Sequence, residues 1–219
     1  MNDARTEILK AIGQPPGDPA VIAAQARGLR AGACRPDRVN GPADAVFIER
    51  LQSPGVAATA ERVAGMRDFP DAVRRYLAAH QLGPALALQP HPELQALDWS
   101  GIETHGHIGT DEPVAVGLAL GGIAETGSLV FHSSAVSPTL FCFLPLHHIV
   151  AVRAGQIWPW LEDYADAIAG CAQPRNVNLI TGASGTTDIE GALVRGAQGP
   201  GWLHVVLIGD AQQDLGRIV

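Results

Sequence analysis

The segment that most limits the possible folds is "WLHVVLIGD", residues 202–210. It is strand-length, almost continuously apolar, and closed by Gly209-Asp210. A strand exposed on one face alternates apolar and polar residues, whereas a strand covered on both faces does not. This segment therefore reads as a central strand of a parallel sheet. The segments before it support that. "NVNLITG" (176–182) reads as a strand, and "WPWLEDYADAIAGCA" (158–172) and "TTDIEGALVRGAQG" (186–199) read as helices. Strand and helix alternate, which is the pattern of an open α/β sheet.

Further upstream, "HIVAV", "SLVFHS", "VAVGLALGGIAETG", "PALALQP" (84–90) and "VAATA" are strand-like. Helices are expected over 43–55, ending at Pro54-Gly55, and over 62–83, restarting at Pro70 and capped by Gly83. Short helices over 2–13 and 18–31 are separated by Pro15-Pro16-Gly17 and followed by the breaker-rich "CRPDRVNGP" (34–42). The expected organisation is an N-terminal helical arm, 1–40, and an α/β domain, 41–219, with a mostly parallel open sheet flanked by helices.

Composition removes several functions. The net charge of −7, with no Lys/Arg cluster, argues against nucleic acid, whose phosphates need a basic face. Lys10 is the only lysine, so a Schiff-base lysine or a Walker-type loop has no residue to use beyond it. Cys34, Cys142 and Cys171 are far apart, with no C-x-x-C spacing, so no zinc ribbon or iron–sulfur motif is expected. The chain is expected in the reducing cytoplasm. No apolar run reaches the roughly 18 residues of a membrane span, and "MNDARTEILKAIG" is too polar for a signal peptide.

Some polar residues remain as candidates. Glu125, followed by Thr126 and Gly127, lies between two strand-like runs. It is either a turn residue or a carboxylate at the rim of a site. In the loop 182–188, Gly182, Ser184, Thr186, Thr187 and Asp188 follow a strand end and precede an expected helix. Thr187-x-x-Glu190 spells a capping box there. Open α/β sheets bind ligands at such strand ends, and free N–H groups at a helix start favour an anion. His105 and His107 would share one face of a strand. With Glu103 or Asp111 they are the candidate metal ligands, but nothing fixes a third ligand, so no metal is assigned. His147 and His148 are adjacent, with one expected exposed and the other satisfied within a sheet. His204, in an apolar strand, is expected to be structural.

Three separated segments carry a resemblance. "GIAETGSLVF", "LPLHHIVAVRAGQIWP" and "TGASGTTDIEGALVRGAQGPGWLHVVLI" resemble, in order and spacing, the lactate-utilisation protein C family, or LUD domain. The resemblance spans 113–209 and is looser before it. It implies a fold like the ribose-phosphate-isomerase and CoA-transferase superfamily. It also implies a role in bacterial oxidation of L-lactate to pyruvate, alongside partner proteins that carry iron–sulfur clusters. The chain itself is then expected to hold no cofactor, and its ligand to be a small organic acid or a phosphate-bearing molecule. In related CoA transferases, a glutamate spelled like Glu125-Thr126-Gly127 attacks the acyl-CoA. That leaves a free-standing transferase or hydrolase using Glu125 as a second reading, and a non-catalytic binding or regulatory subunit as a third. The chain departs from the family where Gly185 replaces an arginine and Gln198 a histidine, which removes a candidate carboxylate or phosphate clamp.

Overall fold

The computed structural model describes residues 6–8, 10, 13, 18–31, 40–189 and 192–209; for 30, 31, 187–189 and 192–193 it describes the backbone alone. The chain divides into two compact units, Met1–Arg38 and Val39–Val219. The first contains α1 (Pro19–Ala31), whose start is capped by Asp18 Oδ1 accepting from the Ala20 N–H at 2.8 Å. Most of the helix expected over 2–13 lies outside the described residues, as do Cys34 and Glu190.

The second unit is built on a six-stranded parallel sheet. In chain order its helices are α2 (Ala43–Leu51), α3 (Phe69–Ala79), α4 (Pro92–Gln95) and α5 (Leu161–Ala167). Its strands are β1 (Thr59–Val63), β2 (Ala85–Leu88), β3 (Glu103–His105), β4 (Val114–Leu118), β5 (Gly121–Ile123), β6 (Ser128–His132), β7 (His147–Arg153), β8 (Ile157–Trp158), β9 (Val177–Ile180), β10 (Gly185–Ile189), β11 (Ala192–Arg195) and β12 (Trp202–Ile208). The parallel sheet runs β1-β12-β7-β4-β2-β3, and a second sheet runs β8-β5-β6-β9. The apolar run "WLHVVLI" is β12, hydrogen-bonded to β1 on one side and β7 on the other.

Side chains alternate across a strand, so β12 feeds two cores. Leu203, Val205 and Leu207 join Phe47 and Leu51 of α2 and Leu129 and Phe131 of the second sheet. Val206 and Ile208 join Phe69, Val73, Tyr76 and Leu77 of α3. The parallel sheet is thus covered by helix on one face and by α2 and the smaller sheet on the other. At roughly 25 cal/mol per Å² of apolar area, this double burial is the main stabilising term. The apolar face of α3 alone supplies several fully buried residues.

The sequence expectations change in four places. The segment 186–199 is not a helix. Gly185 pairs with Arg195 and Thr186 with Val194 in the β10–β11 hairpin. Arg62 and Val63 belong to β1, because they pair with Leu207 and Ile208, and helix α3 starts only at Phe69. Trp158 belongs to β8, so α5 is shorter than expected. "VAVGLALGGIAETG" is two strands: β4 lies in the parallel sheet and β5 in the smaller one. In each case strand pairing decides the conformation, which helix spelling does not report.

Candidate functional site

The carboxyl ends of β2, β4 and β7 lie side by side, and a cleft of about 420 Å³ opens there against β6. This is where open α/β sheets carry ligands. Gln89, just past the end of β2 and 1% exposed, organises the floor. Its Oε1 accepts from the Leu118 N–H at 2.7 Å, and its Nε2 donates to the Val136 carbonyl at 3.1 Å. A buried amide satisfied at both ends fixes the β4 end and the 133–139 loop relative to each other.

Behind Gln89, the chain turns into α4, where the His91 ring accepts from the Glu93 N–H. Glu93 forms an ion pair with Arg153, the last residue of β7. Three residues beyond Arg153, Gln156 ends a 3₁₀ turn and lines the same cleft; its Oε1 is buried with no hydrogen-bond partner among the described residues. The opposite wall is Phe131 and His132. His132 Nε2 and the Tyr164 hydroxyl share a 2.7 Å hydrogen bond, and burial lowers the His132 pKa, so the ring faces neutral pH uncharged. Ser134 and Ser137 close the rim, their backbones bonded to each other in both directions.

Under this cleft lies His148. It is fully buried, its ring stacks on Phe131 with centroids 5.9 Å apart, and neither ring nitrogen has a partner among the described residues. Desolvation pushes its pKa down to about 4. Gly117 makes room for it: a Cβ there would stand 2.9 Å from Gln89 Oε1 and 3.1 Å from His148 Nε2. The sequence expectation that one of His147 and His148 would be exposed does not hold, because both are buried. Only His147 has a partner, the Tyr76 hydroxyl at 3.0 Å. His204 is buried and bonded to Thr59 at 2.8 Å and Glu61 at 3.3 Å.

The residues singled out from sequence sit elsewhere. Glu125, Thr126 and Gly127 form the turn between β5 and β6. Glu125 Oε1 accepts from the Leu161 N–H at 2.9 Å, at the first residue of α5, where a carboxylate also suits the helix dipole. Thr126, Ser128 and Thr181 form a chain of hydroxyls with links of 2.7 and 2.6 Å, so this turn does meet the end of β9. The loop after β9 leaves the second sheet, not the carboxyl edge of the parallel one, and strand β10 follows it. Gly182, at φ +79°, lies so close to Val56 that a Cβ would come within 2.0 Å of its carbonyl oxygen. The Ala183 and Ser184 N–H groups donate to the Val56 and Pro200 carbonyls, at 3.2 and 2.7 Å. Thr186 sits in β10; the side chains of Thr187 and Asp188 lie outside the described residues.

The rings of His105 and His107 lie with centroids 4.5 Å apart, tilted by 35°, and His105 Nε2 lies 3.6 Å from Glu112. Among the described residues, no group of three or more His, Cys, Asp or Glu side chains is arranged to hold a metal ion. Nor is any helix there long and apolar enough to cross a membrane.

The family model for the LUD domain matches residues 66–208. The chain belongs to the LUD domain family. The matched span begins beside α3 and ends with β12, so the whole Gln89–Arg153 cleft lies within it. Among curated relatives, the chain is 30% identical over 108 residues to Lactate utilization protein C of Deinococcus radiodurans, covering 48% of this chain and 50% of that protein. It is 31% identical over 120 residues to Lactate utilization protein C of Bacillus subtilis, covering 52% and 50%. It is also 30% identical over 127 residues to the uncharacterized protein YkgG of Escherichia coli, covering 55% and 54%. The chain spans about half the length of these curated relatives. A crystal structure of a DUF162 family protein from Deinococcus radiodurans matches with a TM-score of 0.55 and 18% identity, covering 76% of this chain and 96% of that one. That likeness establishes a shared fold.

Gln89, Glu93, His132, Arg153 and Gln156 were not singled out from this LUD sequence. Arg153 carried the one usable signal: a charged residue ending an apolar strand, where the strand-end rule places ligands. Gln89 and Gln156 spell nothing, because their roles come from residues distant in sequence.

Proposed function

We propose that this LUD protein takes part in lactate utilisation in the cytoplasm, in a system that oxidises L-lactate to pyruvate, and that its carboxyl-edge cleft receives the small acid. One observation supports this above others. At the ends of β2, β4 and β7, a guanidinium, a neutral imidazole and other polar side chains line a space of about 420 Å³. A guanidinium is the side chain best matched to a carboxylate, and the space suits a small molecule. The names of the Deinococcus and Bacillus relatives support the same reading. Taking lactate to pyruvate removes a pair of electrons, so the proposal includes iron–sulfur partner proteins that receive them.

Growth tests this directly. A host lacking the gene is expected to grow normally on glucose and poorly on L-lactate as sole carbon source, with growth restored by the intact gene. Normal growth of the deletion strain on L-lactate would overturn the proposal.

A further inference from the structure

The 133–139 loop borders two spaces. One is the cleft. The other is a recess of about 480 Å³, open to solvent, between this loop and the chain that enters β9. Ser133, Ser134, Thr139, Arg175 and Asn176 line it, and Ser134 lines the cleft as well. The two spaces therefore adjoin at one residue.

The walls of the recess are held by the fold. Ser133 and Asn176 extend the β6–β9 ladder by one pair. The Ser133 N–H donates to the Asn176 carbonyl at 3.0 Å, and the Asn176 N–H donates to Ser133 Oγ at 2.8 Å. The Ser137 N–H donates to Ser134 Oγ at 3.1 Å, and Gln89 holds the Val136 carbonyl of the same loop. These bonds also decide what the hydroxyls can offer. A serine hydroxyl has one O–H donor and accepts through its lone pairs. Ser133 and Ser134 both accept from backbone N–H groups, and neither O–H has an acceptor among the described residues. Each keeps its proton for a ligand.

Arg175 supplies the charge. It makes no hydrogen bond or ion pair with a described residue, and no described carboxylate lines the recess, although the whole chain has a net charge of −7. An unpaired guanidinium beside hydroxyl donors is matched to an anion. Phosphate, with three strong acceptor oxygens, uses more of these donors than a carboxylate with two.

We infer that the Arg175 recess is a phosphate subsite, and that it takes the phosphate of a small phosphorylated acid whose carboxylate reaches the cleft past Ser134. The subsite stands on its own residues. The link to the cleft rests on the cleft being the acid site, as proposed above.

Calorimetric titration of the full chain at low salt with inorganic phosphate, 3-phosphoglycerate and L-lactate tests this. The intact protein is expected to bind both phosphate compounds, 3-phosphoglycerate the more tightly, and added salt is expected to weaken both. Arg175→Gln is expected to weaken both at least about ten-fold, with Arg175→Lys in between, since it keeps the charge without the fork. Ser133→Ala is expected to weaken both roughly three- to five-fold, the scale of one hydroxyl donor. Arg175 is exposed, so its variants are expected to unfold at the same temperature as the intact protein and to bind L-lactate unchanged. No binding of either phosphate compound, or equal binding in Arg175→Gln, would overturn the subsite. Equal affinity of the intact protein for inorganic phosphate and 3-phosphoglycerate would overturn the link. If L-lactate still binds in that case, the link alone falls and the cleft remains the acid site.

Discussion

The two edges of the parallel sheet use polar residues in opposite ways. At the carboxyl edge, Arg153, Gln156 and His132 border open space, and Gln89 holds that space in shape. At the amino edge, His147 and His204 are buried and packed around Tyr76. His147 is bonded to the Tyr76 hydroxyl and stacked on Trp202 at 4.6 Å. His204 is bonded to Thr59 and Glu61. A single strand, β7, begins in the second environment and ends in the first. At the amino edge the paired polar side chains are enclosed in the core, whereas at the carboxyl edge Arg153 and His132 are paired with Glu93 and Tyr164 and still border open space.

The largest expected effect comes from acid, which charges the histidines at the start of β7 and β12. The folded His148 titrates at about 4, below the ordinary value of 6.5. Between these values the unfolded chain binds the proton and the folded chain does not, so stability is complete above the upper value and falls as pH drops toward the lower. The expected loss is on the order of 3 kcal/mol from His148. Burial lowers the pKa of His147 and His204 too, so both act in the same direction. Urea unfolding from pH 7 to pH 4 measures this. His148→Leu should remove most of the slope, and an unchanged slope would show that His148 is not the acid-sensitive group.

Next in size is Gln89→Leu, which leaves the Leu118 N–H and the Val136 carbonyl without their partner. A loss of about 2 kcal/mol is expected, together with loss of lactate binding, because the 133–139 loop is no longer held. Thermal unfolding and titration read the two effects. Full binding in this variant would show that the cleft does not depend on its floor.

The smallest effect sharpens the contrast. Tyr76→Phe removes the hydroxyl bonded to His147 and should cost about 1 kcal/mol with acid binding unchanged. A loss of binding without a loss of stability would instead place function at the amino edge.

Much of the scaffold was legible in the residues. The continuous apolar run of β12, the Pro-bounded β2 and the apolar stripe of α3 each state their own conformation through local periodicity. The 186–199 segment shows where this stops. Thr187-x-x-Glu190 spells a helix start, yet Gly185 and Thr186 are paired with Arg195 and Val194 in a hairpin. Cross-strand pairing within the hairpin overrides the helix-cap spelling. Glu125 shows the same limit for the site. Its spelling allowed a turn or a rim, and the structure engages its carboxylate with the Leu161 N–H at the start of α5.

By itself, then, the sequence determined a parallel sheet covered on both faces, because continuous apolar strands have no other stable placement in water. It also carried the family, through segments whose order survives. Which polar residues face a ligand was decided by the tertiary structure alone. Arg153 and Glu93 become neighbours only when β2 and β7 align on either side of β4, and a residue's chemistry depends on what its neighbours leave unsatisfied.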